Sequence, residues 1–195
     1  MAGVVTKATV PSVEAEEYAE EDGIPRGQGV ALKAAVAYGG ETIRLEELVL
    51  PAPAQGEIVV RVRACGLCGS DLAKLFQHKI EAPTVLGHEI AGEVARVGDG
   101  VGQFQVGDRV VVAHHVPCFG CHYCRHGHYS MCRHFKRSNL HPGGFAEEVL
   151  VPAEHVQFTT LRLPDRLAFE TASFTEPLAC CLRSLRRWNF QPGDV

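Results

Sequence analysis

The chain has 195 residues and a net charge of −4, with 46% apolar and 22% charged residues, which suits one domain with a packed core, or one domain and an appendage. No apolar run approaches the roughly 18–20 residues that span a bilayer, and no basic stretch followed by an apolar one opens the chain, so the reading is a cytoplasmic protein with no membrane partner. The charge sits at the N-terminus: residues 1–30 carry six acids and two bases, the remainder 17 of each, and a neutral body gives no electrostatic case for nucleic acid.

Residues 1–30 are polar and aperiodic, which predicts a flexible acidic extension. Segments 31–38, 43–50 and 57–64 are rich in Val, Ile and Leu and separated by turn residues, so they read as strands. A short helix is expected over 70–77, capped by Ser70 or Asp71. Further strands are expected at 90–97, 109–113 and 145–151, with a cysteine lobe over 114–138. Residues 177–188 predict an amphipathic helix with Pro177 in its first turn and Leu178, Cys181, Leu182, Leu185 and Trp188 on its apolar face. Many short strands with a few helices indicate a mainly β, barrel-like domain.

Eight cysteines in a chain without a secretory leader argue for metal or chemistry before disulfides. Cys118, Cys121, Cys124 and Cys132 follow a Cys-x2-Cys-x2-Cys-x7-Cys pattern. Two-residue spacers let a tight turn bring successive sulfurs to one ion, and zinc takes four soft ligands at tetrahedral corners. An iron–sulfur cluster would share the first two spacers, and free core cysteines would not gather in a polar, His-rich loop; the pattern favours zinc. Four thiolates leave no open coordination position, so this ion is structural. The histidines of the lobe (His114, His115, His122, His126, His128 and His134) read as surface residues beside so complete a ligand set. Arg125, Arg133, Lys136 and Arg137 read as a solvated basic patch or a partner contact.

Three other segments hold donors: Cys65 to Asp71, Gly87-His88-Glu89, and Glu176-Pro177-Leu178. Each is weak alone. Together they supply thiolate, imidazole and carboxylate, the mixed set of a catalytic zinc with an open position.

The segments CGLCGSDL, VLGHEIAGEVARVGDGV and FQVGDRVVV, with the four-cysteine lobe, resemble the zinc-dependent medium-chain alcohol dehydrogenase family in that order; EPLACCLRSLRR resembles its sorbitol (polyol) and threonine-type branch. The resemblance runs from about Ala31 to the C-terminus. It implies a GroES-like catalytic barrel over 31–190 with a zinc-binding lobe. It also implies Cys68 and His88 as catalytic zinc ligands, Glu89 as an acidic neighbour able to bind the ion, and Glu176 as the third or alternating ligand. Ser70 would take the proton of the substrate hydroxyl and Asp71 would orient His88. Cys65, Cys180 and Cys181 would be packing residues. The implied reaction is hydride transfer from a small alcohol or polyol, deprotonated on the zinc, to NAD or NADP. The family often places a relaying histidine five residues after the cysteine ligand; here that position is Ala73, which leaves water or His78 as the relay.

A dinucleotide fingerprint is missing. Gly98-Asp99-Gly100-Val101-Gly102 fails the Gly-x-Gly-x-x-Gly pattern at Gln103 and reads as a turn between strands. Residues 191–195 resemble the linker into the family's Rossmann domain, which is absent from the chain. Two expectations follow. The chain is the catalytic part of a dehydrogenase, completed by a Rossmann domain or partner chain; or it is a zinc-binding structural or interaction module without turnover. The family's assemblies are commonly dimers or tetramers, which leaves a homo-oligomer open.

Overall fold

The structure, a computed structural model, describes residues 29–40, 42–77, 80–188 and 193. The acidic extension assigned to 1–30 lies outside them except for its last two residues, as do His78 and, except for Gly193, the linker assigned to 191–195.

The described residues form eight strands, β1 (Val30–Ala37), β2 (Ile43–Leu50), β3 (Ile58–Gly66), β4 (Thr84–Val85), β5 (Glu89–Val97), β6 (Arg109–Ala113), β7 (Glu148–Val151) and β8 (Thr160–Arg162); six answer to the expected ones, and β4 and β8 were not expected. The helices are α1 (Gly69–Phe76), α2 (His122–Arg125), α3 (Ala153–Phe158), α4 (Phe169–Ser173) and α5 (Thr175–Arg187), with a 3-10 turn at Tyr129–Met131. The strands form a three-stranded sheet ordered β2-β1-β4 and a five-stranded sheet ordered β7-β3-β5-β6-β8, all neighbours antiparallel.

The strand expected at 145–151 is regular only from Glu148. Its first part closes the gap between the sheets instead: the Phe145 carbonyl accepts from Ala35 N–H, Glu147 N–H donates to the Lys33 carbonyl, and the Glu147 carbonyl accepts from Val62 N–H. The first three residues of β3 are buried on both sides for this reason. Ile58 and Val60 join Ile90, Val94, Val110, Val112 and Val149 in one core, whereas Val59 points into a second core with Leu32, Val36, Leu50 and Leu150. A period of two with apolar residues at successive positions gives a strand both faces of which exclude water.

Helix α4 was not legible in the sequence. It lies against β3 and β5, and its Ala172 joins a small core with Ala91, Val111 and Leu163. Arg109 fastens this segment, with guanidinium N–H groups donating to the carbonyls of Pro164, Asp165 and Leu167 and its plane 4.3 Å from the centre of the Phe169 ring. The expected amphipathic helix is α5, longer at its start by two residues and with Pro177 in its first turn. Its apolar face is not buried: Leu178, Leu182, Leu185 and Trp188 are all exposed. Cys180 and Cys181 are exposed too, so neither packs a core, whereas Cys65 does.

Candidate metal centres

The four-cysteine lobe folds as its spacing requires. The Cys121 Sγ lies 3.5 Å from that of Cys124, Cys118 Sγ 3.6 Å from Cys132 and 4.0 Å from Cys124. Zinc–sulfur bonds of about 2.3 Å to tetrahedral corners put sulfurs about 3.8 Å apart, so the four donors fit one ion. Phe119 adopts a left-handed φ of 54°, and Gly127 one of 73°, where the loop turns around the thiols. Backbone N–H groups of Cys118 and Phe135 act on the Cys132 sulfur and hold its pKa down at about 6, whereas burial pushes Cys124 up to about 12. A divalent cation removes that conflict by favouring the thiolate at every corner.

A second cluster is built by strand register and a helix cap. Gly66 ends β3 opposite Glu89, which starts β5, and a Cβ at Gly66 would stand 1.9 Å from Glu89 Oε2. The glycine therefore makes room for the carboxylate. Gly87, at φ 92°, turns the chain into His88, and its carbonyl accepts from Gly144 N–H at 2.8 Å. Cys68 caps α1: its sulfur accepts from Ser70 N–H at 3.4 Å, while Asp71 Oδ2 accepts from Cys68 N–H at 3.3 Å. The cap is thus Cys68, not Ser70 or Asp71, and the reciprocal pair fixes both the thiol and the carboxylate.

The donor atoms of Cys68, His88 and Glu89 lie within 4.8 Å of one another. His88 and Glu89 are buried and Asp71 is fully so. Asp71 Oδ1 has no hydrogen-bond partner among the described residues; His88 Nδ1 stands 3.4 Å away, an ion-pair distance. Contact with Asp71 outweighs burial and raises His88 to about 9; for Asp71, burial pushes upward, but His88, the Cys68 N–H and the Lys74 charge together lower its pKa. Asp71 thus faces Nδ1 and leaves Nε2 as the ring's other donor. Burial raises the Cys65 thiol to about 12, and its sulfur is not among the donors that gather at the cluster. Ser70 is exposed at the mouth of the cluster.

Glu176 is not brought into the cluster. Its Oε1 accepts instead from Cys180 Sγ at 3.5 Å, although its charge reaches His115, and that of Cys68 reaches Cys180, so the start of α5 lies alongside. His114 and His115 depart from the surface role expected of them. Both are half-buried, and burial pushes His114 down to about 3. The missed signal is strand register: Ala113 pairs with Glu89, so the next residue falls beside His88, with ring centres 4.6 Å apart.

Residues 54–164 match the family model of the alcohol dehydrogenase GroES-like domain. The sorbitol dehydrogenase of Bacillus subtilis is 36% identical over 171 residues, covering 84% of this chain and 47% of that protein. The L-threonine 3-dehydrogenase of Pyrococcus abyssi is 37% identical over 153 residues, 75% of this chain and 42% of that one. Among solved structures, a zinc-binding dehydrogenase from Sinorhizobium meliloti bound to NADP superposes with a TM-score of 0.70 at 31% identity, over 81% of this chain and 46% of that one. The chain spans about half the length of the curated relatives it matches.

Proposed function

The chain belongs to the zinc-dependent medium-chain alcohol dehydrogenase family through its GroES-like domain, and on that premise we propose that it is the catalytic part of an NAD- or NADP-linked dehydrogenase of small polyols or hydroxy amino acids. One observation carries the reading: thiolate, imidazole and carboxylate donors gather at Cys68, His88 and Glu89 with the buried Asp71 behind the histidine. A structural zinc would be enclosed by four ligands, as in the lobe; three protein donors leave a position for substrate.

Zinc held at this cluster supplies Lewis acidity that lowers the pKa of a hydroxyl bound to it. Everything else is the work of the chain. Asp71 engages Nδ1 of His88, which would leave Nε2 for the ion, and Gly66 keeps space for the Glu89 carboxylate. Ser70, on the exposed first turn of α1, takes the proton of the substrate hydroxyl and passes it to water, because Ala73 offers no second relay. A nicotinamide presented by a dinucleotide-binding domain or partner chain would accept the hydride from the carbinol carbon. Glu176, beside the cluster, becomes a ligand only if the start of α5 moves towards Cys68.

The test is metal content. Two zinc ions per chain are expected, falling to one in His88→Ala with the lobe ion kept. A single ion in the wild type would refute the catalytic centre and favour a purely structural zinc module.

A further inference from the structure

The roles above leave the histidines at the end of β6 without a task, yet they occupy the space between the two metal centres. His88 is clasped from two sides, by the Asp71 carboxylate and by the His114 ring. His114 packs on His115 with centres 3.8 Å apart, and His115 on Phe135 at 5.0 Å. Backbone bonds fix the same path. The His114 carbonyl meets Nε2 of the fully buried His155 at 3.1 Å, and His115 Nδ1 meets the Ser138 carbonyl. Ser138 Oγ in turn accepts from Val116 N–H at 2.9 Å.

Phe135 and Ser138 belong to a turn that begins at a lobe cysteine. Lys136 N–H donates to the Cys132 carbonyl, Ser138 N–H to the His134 carbonyl, and the Phe135 N–H acts on the Cys132 sulfur. Whatever holds Cys132 therefore holds Phe135. We propose that His114 and His115 are positioning residues, through which the metal-loaded four-cysteine lobe fixes the ring of His88 at the second metal centre. The inference rests on the reading of Cys68, His88 and Glu89 as a metal site. A lobe that has lost its ion frees Cys132 and with it Phe135, which removes the packing behind His115, then behind His114, and lets His88 turn away from its ligand pose. The lobe thus governs the affinity of the site it does not touch.

The experiment uses the whole chain, loaded with one equivalent of zinc, which four thiolates take first, and then titrated with cobalt(II). The visible bands report both affinity and ligand geometry. His114→Ala is expected to weaken cobalt binding by roughly tenfold and to shift the bands, within the range that partners of ligating histidines command. His114→Phe keeps a ring against His88 and should bind as the wild type does. Phe135→Ala should weaken binding several-fold with all four cysteines intact, and the Phe135→Ala/His114→Ala pair should be no weaker than His114→Ala alone, since both remove one path. Phe119→Ala removes a lobe ring that packs on Tyr129 and Phe158, off this path, and should change nothing. Additive losses, wild-type binding in Phe135→Ala, or equal losses in Phe119→Ala or His114→Phe would each overturn the proposal while leaving the metal site standing. A wild type that takes no cobalt beyond the zinc-filled lobe would overturn both.

Discussion

A carboxylate oxygen buried without a directed hydrogen bond is costly unless something charged faces it. Asp71 is in that position, with His88 as the only candidate counterpart among its described contacts on that oxygen. Asp71→Asn keeps the shape and the acceptor for Cys68 N–H but sets an amide or a neutral carbonyl against the ring. Zinc affinity at the Cys68–His88–Glu89 cluster should fall about 10- to 100-fold, with the lobe ion retained, as measured by competition with a chromophoric chelator. Equal affinities would show that Asp71 serves the cap of α1 alone. Cys68, His88 and Asp71 were picked out by motifs that resemble the family, and what brings them together is local to those motifs: a cap, which falls on Cys68 rather than on Ser70 or Asp71, and a glycine turn. The positions of Glu176 and His114 were not legible in that way. Their distance from the cluster is decided by the approach of α5 and by the pairing of Ala113 with Glu89, and neither is encoded in nearby residues.

The elements themselves divide along that line. The strands at 43–50 and 109–113 were legible to the residue because turns bound them and Val, Ile and Leu run through them, whereas α4 and α3 are short helices whose apolar residues have no period of their own. Helix α3 matters because it carries His155, fully buried, its Nε2 against the His114 carbonyl and its Nδ1 with no partner among the described residues. Burial lowers the pKa of His155 from 6.5; the His114 carbonyl and the Glu154 charge oppose this, while His115 and His134 add to it. Above about 6.5 both folded and unfolded chains hold the ring neutral, so its contribution is complete. As pH falls below that value the unfolded chain takes a proton which the fold resists, and stability is lost until the folded ring itself titrates. His155→Gln keeps a donor for the His114 carbonyl but cannot titrate. Between pH 7 and 5 its unfolding free energy should decline less steeply than that of the wild type, by at most about 1.4 kcal/mol per pH unit, the limit for one proton. Denaturant melts at three pH values measure the two slopes, and parallel slopes would show that the folded chain protonates His155 as readily as the unfolded one.

On the scale of the molecule, the chain buries two β cores thoroughly and leaves its last helix bare. No residue of α5 is buried, and the only fastening its end receives is Arg187 Nη2 against His128 Nδ1 at 2.7 Å among the described contacts. The apolar period that marked this helix in the sequence predicts a buried face, and the period is real; among the described residues it meets no opposing surface. The single tryptophan of the chain, Trp188, is the residue that follows α5 and is 85% exposed, which turns this into a measurement. Excited selectively, it should emit as an indole in water, be quenched freely by acrylamide, and shift by only a few nanometres when the chain is unfolded. Far-ultraviolet circular dichroism reports the sheets and should show a cooperative transition over the same denaturant range, so the two probes should disagree in amplitude even where the domain unfolds as one unit. A blue-shifted emission in the native chain would mean that the face is covered. Dilution then separates the causes: a shift that reverses on dilution is covering by a second copy, and one that persists places Trp188 against its own chain, contrary to this structure.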